Sequence, residues 1–204
     1  MAGLVTPRLR PVRAADRDAV REVCVRTGAA GRDATGALPD DGLLADLYAE
    51  PYLALAPGLG FVAADATDGV VGYVLGTADT DEFVAAWRAV WLPLAAARHP
   101  DPVAAPTTLQ QRLVHDLHHP EVLRTRWADT HPAHLHVNLL PSARGAGAGR
   151  ALVERFCAAV AAIGAPGVHL GTAVENTRAQ AFYAALGFVR LGTSATAVWY
   201  GKRW

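Results

Sequence analysis

Short apolar runs closed by turn residues alternate along this chain with stretches where apolar side chains recur at helical spacing. Residues 9–12 predict a short strand, and Asp16 is placed to cap a helix running to about Arg26. Residues 28–36 are polar and glycine-rich, a loop. A second helix starts at Asp40 or Asp41 and ends near Glu50, before Pro51. Residues 61–66 and 70–78 predict two strands, joined by the hairpin signal Thr67-Asp68-Gly69. From residue 79 the pattern turns helical. Residues 82–97 form one helix that Pro93 should kink or split; 107–118 form a second and 121–127 a short third, with the three-proline loop 98–106 between the first two. A strand returns over 133–140, then a glycine-rich turn and a helix to about Ile163. Residues 167–173 predict a strand, 177–186 a helix, and 188–191 and 195–201 two closing strands. Paired strands at the start and β-α-β-α-β at the end define a mixed α/β fold. Residues 79–132 are a helical insertion between the third and fourth strands.

The length of 204 residues suits a single domain, 1–204, and a 51% hydrophobic content supports a full core. Nineteen basic and nineteen acidic side chains cancel. That balance leaves no electrostatic footprint for nucleic acid and no polybasic membrane anchor. All the basic residues except Lys202 are Arg, a bias that fits a GC-rich bacterial genome. Cys24 and Cys157 stand far apart at apolar helical positions and read as small buried hydrophobes rather than a disulfide. Residues 1–13 hold no apolar core of a signal peptide, and no apolar run approaches the roughly 20 residues that span a bilayer. A soluble cytoplasmic protein is the expectation.

Chemistry concentrates in Pro141-Ser142-Ala143-Arg144-Gly145-Ala146-Gly147-Ala148-Gly149-Arg150, between a strand and a helix. The first N–H groups of a helix lack intrahelical partners, and the helix dipole adds positive potential there. Alternating Gly and Ala leaves room for a phosphate against that backbone. A P-loop would need Lys and then Ser or Thr after the last glycine, where Arg150-Ala151 stands. A dinucleotide fingerprint needs glycines at i, i+2 and i+5; counting from Gly145 or Gly147 lands on Arg150 or Leu152. The third pattern, Arg-x-x-Gly-x-Gly after a strand ending in Pro, matches at Arg144, Gly147 and Gly149.

With that turn and a second motif downstream, Glu175-Asn176-Thr177-Arg178-Ala179-Gln180-Ala181-Phe182-Tyr183-Ala184-Ala185-Leu186-Gly187-Phe188, the chain resembles the GNAT acetyltransferase superfamily. The resemblance implies a mostly antiparallel, twisted sheet of about seven strands flanked by helices, with acetyl-CoA as co-substrate. By carry-over, the backbone from Arg144 through Gly145, Ala146, Gly147 and Ala148 to Gly149, closed by Arg150, binds the diphosphate. The pantetheine arm takes a strand's place beside Leu139 and Leu140, where neighbouring strands splay. A backbone N–H near Leu140 then donates to the thioester oxygen. Tyr183 matches the general acid that protonates the departing thiolate; a phenol stays protonated where a thiol ionises. Its alternative is a half-buried core aromatic, as Phe182 is. Asn176 caps the helix that follows and touches the cofactor. A narrower resemblance, carried by Gly72-Tyr73-Val74-Leu75-Gly76-Thr77-Ala78-Asp79, Phe83 and Trp91-Leu92-Pro93, is to the acetyltransferase-like domain that ends animal O-GlcNAcase and to free-standing bacterial relatives.

A base must take the proton of the attacking amine. His134, His136, Asn138 and Leu140 share one strand face, and Leu135, Val137 and Leu139 the other, unless a bulge intervenes. His136 is the candidate base, because imidazole titrates near neutrality; Asn138 orients substrate or water. Asp79 and Glu175 are rivals near the substrate, and a structural histidine is the alternative reading of His136. His115 and His119 lie one helical turn apart, but Asp116, Leu117 and His118 complete no zinc motif, so no metal is expected. The expected function is acetyl transfer to the amine of a small molecule or peptide by direct attack in a ternary complex, in a monomer or homodimer. The alternative is a non-catalytic acyl-CoA-binding or protein-interaction module. The insertion is expected to form a lid or wall over the acceptor site, and its Trp87, Trp91 and Trp127 either line a pocket or, the commoner case, pack its own small core.

Overall fold

The computed structural model describes residues 7–100 and 104–204. The leader reading of residues 1–6 and the middle of the proline loop, 101–103, lie outside the described residues. The chain opens with β1 (Arg8–Pro11), α1 (Arg17–Val25), α2 (Gly42–Tyr48), α3 (Glu50–Leu55), β2 (Phe61–Ala64) and β3 (Val70–Thr77). The insertion follows as α4 (Thr80–Ala86), a π turn (Trp87–Trp91), α5 (Leu92–Ala96), α6 (Leu109–His118) and a 3-10 turn (Pro120–Leu123). The chain closes with β4 (Ala133–Leu139), α7 (Ala148–Ile163), β5 (Gly167–Ala173), α8 (Thr177–Ala185), β6 (Val189–Thr193) and β7 (Ala197–Arg203).

Seven strands form one open sheet in the order β1-β2-β3-β4-β5-β7-β6, antiparallel everywhere except between β4 and β5. Side-chain alternation divides the core between the two faces of the sheet. Val62, Tyr73 and Leu75 pack with α1, α2 and the insertion, whereas Phe61, Ala63 and Val74 pack with Leu135 and the α7 residues Leu152, Val153 and Phe156. The β3–β4 register runs without a break from Gly72↔Leu139 to Thr77↔His134, so no bulge there reassigns the faces of β4.

Local chemistry explains where elements depart from expectation. The helical stretch does not stop before Pro51. It breaks at Ala49 (φ −132°) and resumes as α3, because proline is accommodated in a first helical turn, where the missing N–H costs nothing. Asp16 sits at the start of α1 without capping it; its carboxylate instead accepts from Arg10 at 2.6 and 2.8 Å and from the Arg13 N–H at 2.7 Å. The split expected at Pro93 falls one turn earlier, as the π turn, since proline has no N–H and crowds the carbonyl four residues before it. The short helix expected over 121–127 is only a 3-10 turn followed by irregular turns.

The insertion is bolted to the domain rather than folded over it. The Trp87 indole donates to Leu117 O at 3.1 Å, and Trp91 donates to Asp46 O in α2 at 3.0 Å. The Asp46 carboxylate, nearly fully buried, is met by Arg21, Arg98 and His99 at 2.8–3.0 Å. One turn on, buried Glu50 takes Arg17 and Arg21 at 2.8 and 3.0 Å. Cys24 and Cys157 are free thiols, each pushed up to about 11 by burial. Among the described residues no helix is long and apolar enough to cross a membrane.

Candidate active site

β4 and β5 pair through only two positions, Ala133↔Val168 and His134↔His169, and then part. The gap opens into a cleft of about 860 Å³ lined by residues 135–139 on one side and 171–173 on the other. A parallel pair that diverges leaves the inner edges of both strands unpaired, so the slot presents backbone donors and acceptors to whatever enters. Leu140 N donates to Val71 O at 2.9 Å, which is the β3 side. Alternate N–H groups of a strand point to opposite edges, so those of Leu139 and Val137 face the slot. The donor expected near Leu140 is therefore not Leu140 itself.

The glycine turn stands at the mouth of the slot. Gly145 (φ 88°) and Gly147 (φ 80°) are both left-handed, a conformation that costs any other L-residue about 1 kcal/mol or more. Gly147 is the residue before α7, and Ala151 N already bonds to Gly147 O at 3.1 Å. The N–H groups of Gly145 through Arg150 have no partner among the described residues. Six consecutive free donors at the positive end of a 16-residue helix form an anion cradle. The Arg144 side chain is not a solvated cation. It donates to Leu139 O at 2.9 Å and to Gly31 O at 2.7 Å, tying the turn to the loop after α1. Arg150 reaches Glu154 and the carbonyl of Ala185.

α8 forms the opposite wall. Asn176 caps it, its Oδ1 accepting from Ala179 N at 3.1 Å. Tyr183 is both core residue and cleft residue: its ring packs against Phe182, Phe188 and Tyr200, and it lines the cleft. Burial pushes its phenol above the usual value. Glu175 also lines the cleft and is exposed.

On the other side of β4 the cleft continues between Cys24, Thr27, Leu44, Tyr48, His136 and Asn138. Asn138 Nδ2 donates to the Thr27 hydroxyl, so it is held in place. His136 is partly exposed, beside the Tyr48 ring at 5.6 Å, and burial drives it down to about 4. Asp79 is elsewhere: its carboxylate caps α4, accepting from Asp81 N and Glu82 N at 2.8 and 3.0 Å, and it does not line the cleft. Among the described residues of 79–132 none lines it either. The His115 and His119 rings stack at 4.3 Å, and no group of three metal-ligating side chains gathers among the described residues.

Sequence reasoning missed Tyr52 and Thr80. Tyr52 Oη lies 2.8 Å from His134 Nε2 and 3.0 Å from His136 Nε2, and Thr80 Oγ1 lies 2.7 Å from His134 Nδ1. Neither residue belongs to a motif; only the pair of histidines two apart on one strand face hinted at shared partners.

The Acetyltransferase (GNAT) family model matches residues 116–188. The crystal structure of SsHAT is 44% identical, covers 98% of both chains and superposes with a TM-score of 0.94. A phosphinothricin acetyltransferase from Sinorhizobium meliloti, solved in complex with AcCoA, is 15% identical over 98% of this chain and 89% of that one, with a TM-score of 0.57. The paia N-acetyltransferase of Thermoplasma acidophilum, solved with coenzyme A, is 12% identical over 98% of this chain and all of that one, at 0.60. The last two likenesses are of fold alone. The fold is that of an acetyltransferase-type domain, and this chain belongs to the GNAT acetyltransferase family.

Proposed function

We propose that this protein is an acetyl-CoA-dependent N-acetyltransferase that passes the acetyl group directly to an amine in a ternary complex. The observation that carries the reading is the row of six free N–H groups, Gly145 to Arg150, at the mouth of the slot where β4 and β5 part. The row fits a diphosphate, and the slot fits an extended amide-bearing arm that pairs with strand edges.

In this reading the pantetheine lies along Leu139, and Asn176 borders it. The Val137 and Leu139 N–H groups meet the thioester oxygen as negative charge develops there. The amine enters between Tyr48, Leu44 and Cys24 and is oriented by Asn138, while His136 takes its proton. Tyr183 protonates the leaving sulfur. Burial keeps its phenol protonated, so the proton is in place when the thiolate departs. The acceptor is a small molecule or peptide carrying a primary amine. The narrower likeness to the domain that ends O-GlcNAcase belongs to this proposal as a statement about shape: Phe83 and Trp91, which carry it, fasten the insertion through Tyr52 and Asp46.

Isothermal titration with acetyl-CoA, paired with thiol-release assays on an amine panel, tests the reading. Binding and amine-dependent CoA release are expected, with both lost in Gly147→Glu, which puts bulk and negative charge at the cradle. Binding without release across the panel would favour the non-catalytic module, and retained binding in Gly147→Glu would overturn the diphosphate assignment.

A further inference from the structure

Behind His136 runs a hydrogen-bond chain whose proton positions are determined by its far end. Thr80 Oγ1 lies 2.7 Å from Pro132 O, and a carbonyl can only accept, so the single hydroxyl proton of Thr80 is directed there. At 2.7 Å from His134 Nδ1, the same oxygen must then accept, which makes Nδ1 the protonated nitrogen of His134. A neutral imidazole carries one N–H, so His134 Nε2 is bare and accepts from Tyr52 Oη at 2.8 Å. With its own proton committed, Tyr52 Oη accepts from His136 Nε2 at 3.0 Å. His136 therefore holds its proton on Nε2 and a lone pair on Nδ1. That Nδ1 has no partner among the described residues and is not among their sealed, unsatisfied polar atoms. His136 itself lines the cleft, whereas Thr80, His134 and Tyr52 do not.

We infer that Thr80, His134 and Tyr52 are positioning residues that hold His136 in its Nε2–H tautomer, so that Nδ1 is the atom that takes the amine proton. The inference rests on the acetyl-transfer reading above. In that reaction the amine nitrogen bonds to the acetyl carbonyl carbon and its proton passes to His136 Nδ1. The carbon–sulfur bond breaks with its electron pair on sulfur, and sulfur takes the Tyr183 proton; exchange with water then restores His136 and Tyr183.

Surroundings keep the chain in this order. Phe83, from the insertion, stacks on Tyr52 at 4.5 Å and 15°, and meets His134 edge-on at 5.5 Å. Tyr52, His134 and Thr80 are all buried, so no water competes for their hydrogen bonds. The positive charge formed at His136 stays there. Passing it to His134 would place it on a more deeply buried ring, 5.9 Å from His169, where burial together with the neighbouring histidines holds the imidazole well below its usual value.

Long-range ¹H–¹⁵N correlation spectra of the full-length protein test this, with the His136 ring assigned by its loss in His136→Gln. The wild type is expected to show Nε2 protonated and Nδ1 bare. Thr80→Val and Tyr52→Phe should admit the Nδ1–H tautomer and lower kcat about tenfold or more, as a histidine held in the wrong tautomer does, while acetyl-CoA affinity stays unchanged. Thr80→Ser, which keeps the hydroxyl, should restore both tautomer and kcat. The backbone amide spectrum of each variant verifies folding, and Thr80→Val keeps the Thr80 N–H on Pro132 O if Tyr52→Phe fails to fold. A wild-type His136 protonated on Nδ1 would overturn the inference, as would shifted tautomers with wild-type kcat. Absence of CoA release by the wild type would instead overturn acetyl transfer, and with it the role of Nδ1 as base; the spectra would still judge the hydrogen-bond chain.

Discussion

Arg144 donates to the carbonyl of Gly31 at 2.7 Å, joining the glycine turn to a loop more than a hundred residues earlier. Its other donation, to Leu139 O at 2.9 Å, fixes the end of β4 in the same grip. The glycine turn, the end of β4 and the loop after α1 thus share one guanidinium. Arg144→Ala should raise the acceptor KM several-fold and weaken acetyl-CoA binding less, because the Gly145 to Arg150 donors remain. Two charge-assisted hydrogen bonds of about 1.5–3 kcal/mol each are at stake, and steady-state kinetics with thermal unfolding would measure the split. An unchanged acceptor KM would sink the coupling.

Tyr183→Phe keeps the ring packed against Phe188 and Tyr200 and removes only the hydroxyl. The expected result is a fall in kcat of about a hundredfold or more, the usual loss for a general acid, at unchanged acetyl-CoA affinity and unfolding temperature. Turnover equal to that of the wild type at neutral pH would take Tyr183 out of the mechanism.

Histidines give this fold an acid sensitivity that begins near neutrality. Burial holds His136 at about 4 and pushes His131, His134 and His169 below their usual value, the first two of these also through neighbouring histidines. Each ring is neutral when folded and takes up a proton near 6.5 when unfolded, so the unfolded chain binds more protons below that pH. Stability is therefore full above about 6.5 and is lost as pH falls toward the folded values, by up to about 1.4 kcal/mol per pH unit per ring. Urea unfolding at pH 7.5, 6 and 5 measures the slope, and a flat profile would contradict it. In kinetics, the His136 limb of kcat/KM should appear near pH 4 rather than 6.5.

Asp46 is the anchor of Arg21, Arg98 and His99 and, through its carbonyl, of Trp91. Asp46→Ala leaves Arg21 and His99 facing a buried void and should cost about 3–5 kcal/mol, read as a large fall in unfolding temperature. Asp46→Asn, which keeps the shape and two of the acceptor lone pairs, should fall between. The Asp46 carboxyl is held below its usual range by Arg21, His99 and Arg98 against the opposing effect of burial. Its contribution is present above about 4 and disappears only below that, separable from the histidine slope.

Local chemistry made much of this legible. β5 occupies the residues its apolar run between turn signals predicts, α7 ends at Ile163 before left-handed Gly164, and Asn176 caps α8 as its residue type dictates. What stayed hidden depends on partners far along the chain. Asp16 and Asp79 are equally good capping residues by type, yet Arg10 draws one carboxylate away while the other is free to cap. Tyr52 matters because folding brings it to residues 134 and 136, and Arg144 because Gly31 arrives beside it. The tryptophans of the insertion could have lined a pocket or packed a core; Trp87 and Trp91 pack, their indole N–H groups spent on Leu117 O and Asp46 O inside the body.

Thr80 N also donates to Pro132 O at 2.9 Å, so the two ends of the insertion touch each other directly above the β3–β4 ladder. A segment whose entry and exit meet is a cassette: an ordinary hairpin turn would bridge the same gap and leave the sheet whole. The cassette nevertheless does not travel alone, since its first residues hold His134 and its Phe83 backs Tyr52. Growth or shrinkage of its distal helices leaves the tautomer of His136 untouched, whereas trimming back to the root releases it. In a transplant onto another member of this family, the natural unit is therefore the insertion together with α3 and the two histidines of β4.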